Sequence, residues 1–332
     1  MQHVANNPNN TLSRYVAFVS VAIIWGTTWV AIKLSLQGYP PVTGATLRFV
    51  FAIAVLGLYA RAMRVSLAIP RHTIVWVVVT ALLVYVIDYG LVYWGEQYLN
   101  SGVTAILFTA VPLATTLGSA FAFRTESFRY RQLVGILLGL FGIVAVFFDP
   151  LMATGFSVKV TLGAVAIVVA ATAAAFNIVI AKRYLMVVGA VALTFHQMLW
   201  GTVALGVIAA ISGEWRNVHY SLGATLAVLY LGIAGSATAF VLYYSLLKTM
   251  RASTLSTISY VSPLVAVFSG WMVLNESISL RVGSGVMSIV VGLLTIECDD
   301  LMAPLRRWSR WPLSRLQASK VQTESRAKPT FS

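Results

Sequence analysis

Ten apolar runs, each roughly 18 to 22 residues long, occupy nearly the whole chain and match the length that crosses about 30 Å of hydrocarbon. The runs lack the alternating pattern of barrel strands, so each must satisfy its own backbone hydrogen bonds as a helix. Hydrophobic residues make up 59% of the sequence and charged residues only 10%, which excludes an ordinary soluble protein. The sequence therefore predicts an all-α integral membrane protein with ten transmembrane helices.

The predicted spans are separated by short loops that contain charged residues, prolines or glycines. They cover approximately residues 15–33, 43–61, 73–94, 101–123, 131–149, 160–181, 190–211, 222–246, 253–275 and 282–299. Because no loop is long enough to fold as a soluble domain, we expect the function to lie within the membrane. The first run continues past Trp25 without a small-residue cleavage site, so we expect an uncleaved helix.

The positions of Lys and Arg predict the orientation, because cytoplasmic loops accumulate them. With residues 1–14 as a cytoplasmic tail, ten basic residues fall in cytoplasmic loops and four in outer loops. We therefore expect both termini in the cytoplasm, in a plasma membrane of the bacterial inner-membrane type. The net charge of +13 then requires no nucleic acid as a partner. Much of it falls in residues 300–332, which we expect to lie on anionic lipid headgroups, with partner binding as the alternative.

Motifs typical of enzymes do not occur in the sequence. A single cysteine, Cys298, excludes intrachain disulfides and a cysteine-based metal cluster. The four histidines show no metal-ligand spacing: His3, His72, His196 and His219. There is no phosphate-binding Gly-Lys-Ser/Thr loop and no serine nucleophile elbow. The sequence predicts a protein that is not an enzyme and has no cofactor or metal.

The two halves of the chain repeat each other. "SGVTAILFTAVPL" in the fourth span corresponds to "ASTLSTISYVSPL" in the ninth. The matched pairs are Pro112 with Pro263 and Tyr93 with Tyr244 at a displacement of 151, Glu126 with Glu276 and Gly142 with Gly292 at 150, and Lys33 with Lys182 and Arg48 with Gln197 at 149. Because each half has an odd number of spans, the second must enter the membrane inverted. Inverted repeats are typical of secondary transporters, whose substrate site lies between the repeats near the midplane.

With this frame, the chain resembles the EamA-type transporters of the drug/metabolite transporter superfamily over about residues 15–300. The stretches that match are "IIWGTTWVAIK", "PPVTGATLRF", "EQYLNSGVTAIL", "GIAGSATAFVLYYSLLK" and "YVSPLVAVFSGWMVLNES". The resemblance implies a ten-helix bundle built from two EamA-like repeats, at 15–149 and 160–299. It also implies movement of small metabolites without ATP hydrolysis, often export of amino acids or related compounds. The cargo does not follow from it.

Several polar and aromatic residues within the spans are candidates for the substrate cavity. Pro112 and Pro263 each remove a helix hydrogen bond, which favours a cavity, although a kink for packing remains possible. Trp25 and Thr28 belong to the first-span motif, and the equivalent stretch of the sixth span places the amide of Asn177 in the bilayer. An aromatic pocket is expected from the remaining candidates, Tyr85, Tyr89, Phe240, Tyr244 and Tyr260.

Asp88 is the carboxylate that departs most from the resemblance. A charge within a span costs about 2.5–3.5 kcal/mol on insertion scales and by default indicates an ion pathway, a substrate amine or a proton relay. Its expected structural partner is Arg48 on the preceding span, in a buried ion pair. A functional role in proton coupling and a purely structural pairing both remain open.

The sequence as a whole predicts a secondary transporter that exports or exchanges a small metabolite, amino acids first, by alternating access. The alternatives are a transporter of organic cations, drugs or activated sugars, and less favourably a membrane enzyme or a scaffold that transports nothing. The expected partners are a small-molecule substrate and the lipid bilayer. A homodimer is possible.

Overall fold

The structure is a computed structural model that describes residues 8–125, 130–154, 157–274, 280–281, 283–292 and 294–295. Within these ranges the chain folds into helices joined by short connections. We label the helices α1 (Pro8–Ser35), α2 (Pro41–Ala62), α3 (Arg71–Glu96), α4 (Ser101–Ala122), α5 (Tyr130–Thr154), α6 (Val158–Val188), α7 (Ala190–Ile211), α8 (Leu222–Leu247), α9 (Ala252–Val273) and α10 (Gly283–Gly292).

Eight of these helices are long and apolar enough to cross a membrane, and Tyr130–Gly142 and Gly283–Gly292 are shorter apolar helices. Large apolar side chains stay exposed on the outer faces, such as Phe141 at 68% and Val165 at 54%. An exposed apolar surface of this kind suits lipid rather than water. The predicted all-helical membrane fold is therefore confirmed. The predicted tail at 300–332 lies outside the described residues, and α1 already begins at Pro8 within the predicted N-terminal tail.

Two lysines at equivalent positions make the same contact in each half. Lys33 near the end of α1 donates to the carbonyl of Leu99 at 2.8 Å, in the connection between α3 and α4. Lys182 in α6 donates to the carbonyl of Met250 at 2.8 Å, in the connection between α8 and α9. The two acceptors are displaced by 151 residues and the two lysines by 149. The sequence repeat is thus a repeat of contacts.

The packing of α5 against α10 shows that the second half is inverted. Gly142 of α5 faces Gly285, and Gly292 of α10 faces Gly135, so closely that a Cβ at either position would meet a backbone carbonyl. Both pairs are related by a displacement of 150. Later residues of one helix meet earlier residues of the other, so the helices are antiparallel. Equivalent helices that run antiparallel require opposite orientations of the two repeats, as the odd number of spans predicts.

Two of the three π-helical segments in the described residues also repeat. A π-helical turn spans Leu82–Asp88 in α3, and another spans Ile233–Thr238 in α8, with starting points 151 residues apart. A π turn is wider than an α turn and shifts the faces of the residues that follow it. The equivalent helices α3 and α8 therefore share this irregularity.

Each repeat also contains one broken helix, and both breaks precede a proline. The α-helical geometry of α4 is interrupted at Phe108 and Thr109, and that of α9 at Thr257. Pro112 and Pro263 have no N–H to donate to the carbonyl four residues earlier. The Phe108 carbonyl accepts instead from the N–H of Val111 at 3.1 Å. Both prolines therefore interrupt the regular helical hydrogen bonding of their helices.

Candidate functional site

A cavity lies between the two repeats and has a volume of about 80 Å³. One water requires about 10–15 Å³ on this scale, so the cavity has room for roughly five waters or a small organic molecule. Its wall comes from three helices of each repeat. In the first repeat these residues are Trp25, Thr28, Trp29 and Ile32 of α1, Val84, Asp88, Tyr89 and Val92 of α3, and Ala105, Phe108 and Val111 of α4; in the second they are Ala174, Asn177 and Ile178 of α6, Phe240 and Tyr243 of α8, and Ser259 and Ser262 of α9.

Equivalent positions of the two repeats meet in this wall, occupied by different side chains. Thr28 corresponds to Asn177 at a displacement of 149, and Tyr89 corresponds to Phe240 at 151. Asp88 corresponds to an alanine, Ala239, so only the first repeat contributes a carboxylate at this position. Equivalent positions of the two repeats therefore form the wall, but their side chains differ in polarity and charge.

Two tryptophans of α1, Trp25 and Trp29, bind two different helices of the second repeat. The indole N–H of Trp25 donates to the carbonyl of Gly235 in α8 at 3.2 Å. The indole N–H of Trp29 donates to the hydroxyl of Ser262 in α9 at 2.9 Å. The hydroxyl of Thr28 donates to the carbonyl of Trp25 at 2.6 Å. These contacts fix the aromatic side of the cavity, where the Trp25 ring packs 4.9 Å from the ring of Tyr243.

Asp88 lies in the cavity wall and is 4% exposed. Among the described residues, its Oδ1 has no hydrogen-bond partner. The direct ion pair considered for Arg48 does not form, because the guanidinium is turned toward α8. There its Nε donates to Ser236 Oγ at 2.7 Å and its Nη2 to the carbonyl of Gly235 at 3.2 Å. The two charges interact only at longer range, with the ring of Tyr89 4.6 Å from the guanidinium carbon.

A buried polar cluster behind the wall orients Asn177. Tyr244 donates its hydroxyl to Gln197 Oε1 at 2.7 Å and accepts from Asn177 Nδ2 at 3.2 Å. Gln197 Nε2 donates to Thr80 Oγ1 at 2.7 Å and to Asn177 Oδ1 at 3.2 Å. Tyr244 is therefore one layer behind the cavity, where it positions a wall residue instead of contacting a ligand.

Six of the predicted candidates meet at the cavity, namely Trp25, Thr28, Asp88, Tyr89, Asn177 and Phe240. Tyr85 does not, because the π turn directs Val84 and Asp88 inward while Tyr85 packs over Gly201 of α7. Tyr260 is packed in a separate cluster with Ile106. Pro112 and Pro263 stand beside wall residues of α4 and α9 and are not part of the wall.

Trp29, Tyr243 and Ser262 belong to the wall but were not among the predicted candidates. Trp29 shares the first-helix motif with Trp25, four residues away on the same helix face. Tyr243 corresponds to the wall residue Val92 at the displacement of 151. Because Val92 was not a predicted candidate either, the repeat displacement relates the two positions but does not by itself identify Tyr243.

We predict different effects on stability for two adjacent tyrosine-to-phenylalanine changes. Tyr244→Phe removes the donor of the buried Gln197 Oε1, so we expect a loss of about 1–3 kcal/mol in stability. Tyr243→Phe is the matched control, because among the described residues its hydroxyl has no hydrogen-bond partner, and we expect little change. Thermal unfolding in detergent measures both. Equal destabilisation of the two variants would contradict the described cluster.

The comparisons with known proteins agree with this architecture. A family model described as EamA-like transporter family matches the chain twice, over residues 12–148 and 161–297. The uncharacterized inner membrane transporter YedA of Escherichia coli (strain K12) is 30% identical over 303 residues, which cover 89% of this chain and 96% of YedA. The uncharacterized transporter YoaV of Bacillus subtilis (strain 168) is 25% identical over 278 residues, covering 84% and 94%.

The fold itself is found in a solved structure. A crystal structure of a protein with 23% sequence identity superposes with a TM-score of 0.70 and covers 86% of this chain and 96% of its own. The family model matches each half separately, and the described contacts relate the same two halves by inversion. The chain is a multi-pass membrane transporter and belongs to the EamA-like transporter family.

Proposed function

We propose that this protein is a secondary transporter that exports or exchanges small metabolites, with amino acids and related amines as the first candidates. It works without ATP hydrolysis, by alternating access around the cavity between the two repeats. The observation that carries this proposal is the wall of the cavity, which takes equivalent positions from both repeats. Two inverted halves around one site can rock into two related states, one open to each side of the membrane.

The closely packed helices and the irregular turns support such a movement. Glycines let α5 and α10 approach to backbone contact, a surface on which helices can slide. The π turns and the proline breaks lie in the helices that form the wall. Irregular backbone inside a membrane protein is tolerated where it faces protein or a wet cavity. Each repeat thus has irregular backbone beside the site, where the helices can bend.

We also infer that the protein lies in a plasma membrane of the bacterial inner-membrane type with both termini in the cytoplasm. This orientation would place the connection between α7 and α8 outside and the connection between α2 and α3 inside. Cysteines in place of the exposed Tyr220 and Ser66 test it. Tyr220→Cys is expected to react with an impermeant thiol reagent on intact cells, and Ser66→Cys only after lysis. The reverse pattern would contradict the orientation.

Counterflow in proteoliposomes tests the transport proposal. The purified full-length protein is reconstituted with a preloaded pool of amino acids and amines, and uptake of each labelled compound is compared with empty liposomes. We predict that Ala174→Trp abolishes exchange, because the indole would fill a cavity of about 80 Å³. Val169→Trp is the matched control on the same helix, since Val169 is 46% exposed on the outer face.

The control is expected to exchange the same compounds as the unchanged protein at a similar rate. Size-exclusion chromatography of both variants shows whether each has folded. Exchange that continues in a folded Ala174→Trp variant would show that the cavity is not the substrate path. No exchange of any compound by the unchanged protein would remove amino acids and amines as cargo.

A further inference from the structure

Asp88 is a carboxylate that the described protein leaves without a direct partner. It lies in the cavity wall, it is 4% exposed, and among the described residues its Oδ1 accepts no hydrogen bond. Burying a charged group without a partner is costly, so a partner must bind during at least part of the transport cycle. The candidates are Arg48, a proton and the substrate.

Arg48 does not bind Asp88 in this structure: its Nε and Nη2 bind α8, and its Nη1 has no hydrogen-bond partner among the described residues. Its guanidinium donates to Ser236 and to the carbonyl of Gly235 in α8 and lies over the ring of Tyr89. Arg48 is fully buried and is not part of the cavity wall. The Asp88 carboxylate therefore remains the charge that a molecule in the cavity meets.

Many of the other hydrogen-bond donors in the wall already bind acceptors of the protein itself. The indole N–H groups of Trp25 and Trp29 and the hydroxyl hydrogen of Thr28 are all donated to protein oxygens, whereas the Tyr243 hydroxyl has no hydrogen-bond partner among the described residues. Acceptors remain, because a hydroxyl oxygen that donates its hydrogen keeps lone pairs. A wall with unused acceptors suits a ligand that brings donors.

The aromatic rings of the wall complete this complementarity. The ring of Trp25 packs against those of Tyr243 and Phe240 with centroids 4.9 and 5.4 Å apart, and Tyr89 lies next to Phe240 at 6.2 Å. Ring faces of this kind attract a cation within about 6 Å of their centroids. They also offer apolar surface to a hydrocarbon or aromatic substituent.

We propose that the substrate is a small protonated amine with an aromatic or apolar substituent, and that its ammonium group binds the Asp88 carboxylate. This inference rests on the proposed transport function and deepens it. A free amino acid also brings a carboxylate, and the described cavity wall contains no Lys, Arg or His to receive it. Amines that lack a carboxylate are therefore bound and exchanged in preference to the corresponding amino acids.

A ladder of related compounds tests this preference. Phenethylamine, phenylalanine methyl ester, phenylalanine and hydrocinnamate share one aromatic body and differ in charge. With the purified full-length protein we expect binding, followed by tryptophan fluorescence, and counterflow for the amine and the ester. Phenylalanine is expected to be weaker by roughly tenfold or more, the value of one unpaired charged group, and hydrocinnamate to be inactive.

Asp88→Asn supplies the second part of the test. The change keeps the shape of the side chain and removes a buried charge, so the variant is expected to fold with unchanged or higher thermal stability. Amine binding and exchange are expected to fall by roughly tenfold or more, because the charge-assisted contact is lost. Glu214→Gln is the matched control, since this carboxylate lies outside the cavity and accepts from the backbone N–H of Thr43.

The outcomes separate this inference from the proposed function. Exchange of phenylalanine as good as that of the amine would overturn the inference and leave transport intact. Amine exchange that persists in Asp88→Asn, with only its response to a proton gradient lost, would make Asp88 a proton carrier and also overturn the inference. If the wider metabolite pool shows no exchange and the amine still binds in an Asp88-dependent manner, the proposed transport fails while the inferred site stands.

Discussion

Gly201→Val is expected to destabilise the folded transporter strongly. A Cβ at position 201 of α7 would lie 2.7 Å from Cγ of Tyr85, and closer still to its Cβ. These atoms lie at the base of a fully buried side chain whose ring packs 4.6 Å from that of Phe49, so the tyrosine cannot move aside. Overpacking of this kind costs about 1–3 kcal/mol or more.

The effect should reach the cavity, because Tyr85 also packs against two wall residues. Its ring lies 6.0 Å from that of Tyr89 and 5.8 Å from that of Phe240. We therefore expect both a lower unfolding temperature and a lower rate of transport. Gly223→Val is the matched control, since a Cβ at that position meets nothing within 4 Å. Similar unfolding temperatures for the two variants would contradict the close approach of α3 and α7.

Arg48→Ala is the second change with a large expected effect. Arg48 is fully buried and connects α2 of the first repeat to Ser236 and Gly235 of the second. Its removal leaves a cavity and takes donors from both acceptors, for a loss on the order of 3 kcal/mol. It also removes the cation that interacts at longer range with Asp88. We expect a lower unfolding temperature and loss of transport.

Arg48→Gln is the informative intermediate, because glutamine occupies the equivalent position in the second repeat, Gln197. A glutamine retains donors for α8 and loses the charge, so stability is expected to lie between that of Arg48→Ala and that of the unchanged protein. Thermal unfolding of the three proteins in one detergent measures the order. A glutamine variant as unstable as the alanine variant would assign the effect to charge alone.

Much of the fold could be predicted from the sequence because its strongest signals extend over whole helices and over both halves of the chain. The length of the apolar runs gave the helical membrane fold, and displacements of 149 to 151 residues gave the repeat. The contacts of Lys33 and Lys182 follow that register. Helix α1 begins at Pro8, before the predicted first span, but the start of a helix is not the start of its membrane segment. Apolar periodicity does not fix where a helix leaves the bilayer.

The site could be predicted only in part, because helix irregularities decide which side chains face inward. A regular α-helix places both Val84 and Tyr85 on the face of Asp88, so spacing alone does not choose between them. The π turn at Leu82–Asp88 instead directs Val84 to the cavity and Tyr85 to α7. No residue in that stretch signals a π turn from its identity alone. The direction of the Arg48 side chain likewise depends on an acceptor in α8, Ser236, which lies far away in the sequence.

The most direct test of the central claim is the accessibility of the cavity from both sides of the membrane. Ser259→Cys places a thiol in the cavity wall, in a variant whose only native cysteine, Cys298, is replaced by serine. Alternating access predicts that an impermeant thiol reagent modifies this cysteine in right-side-out and in inside-out vesicles, and that phenethylamine slows both reactions. Tyr220 is 84% exposed in the connection between α7 and α8. Tyr220→Cys should therefore react from one side only. Modification of Ser259→Cys from a single side under every condition would contradict the account.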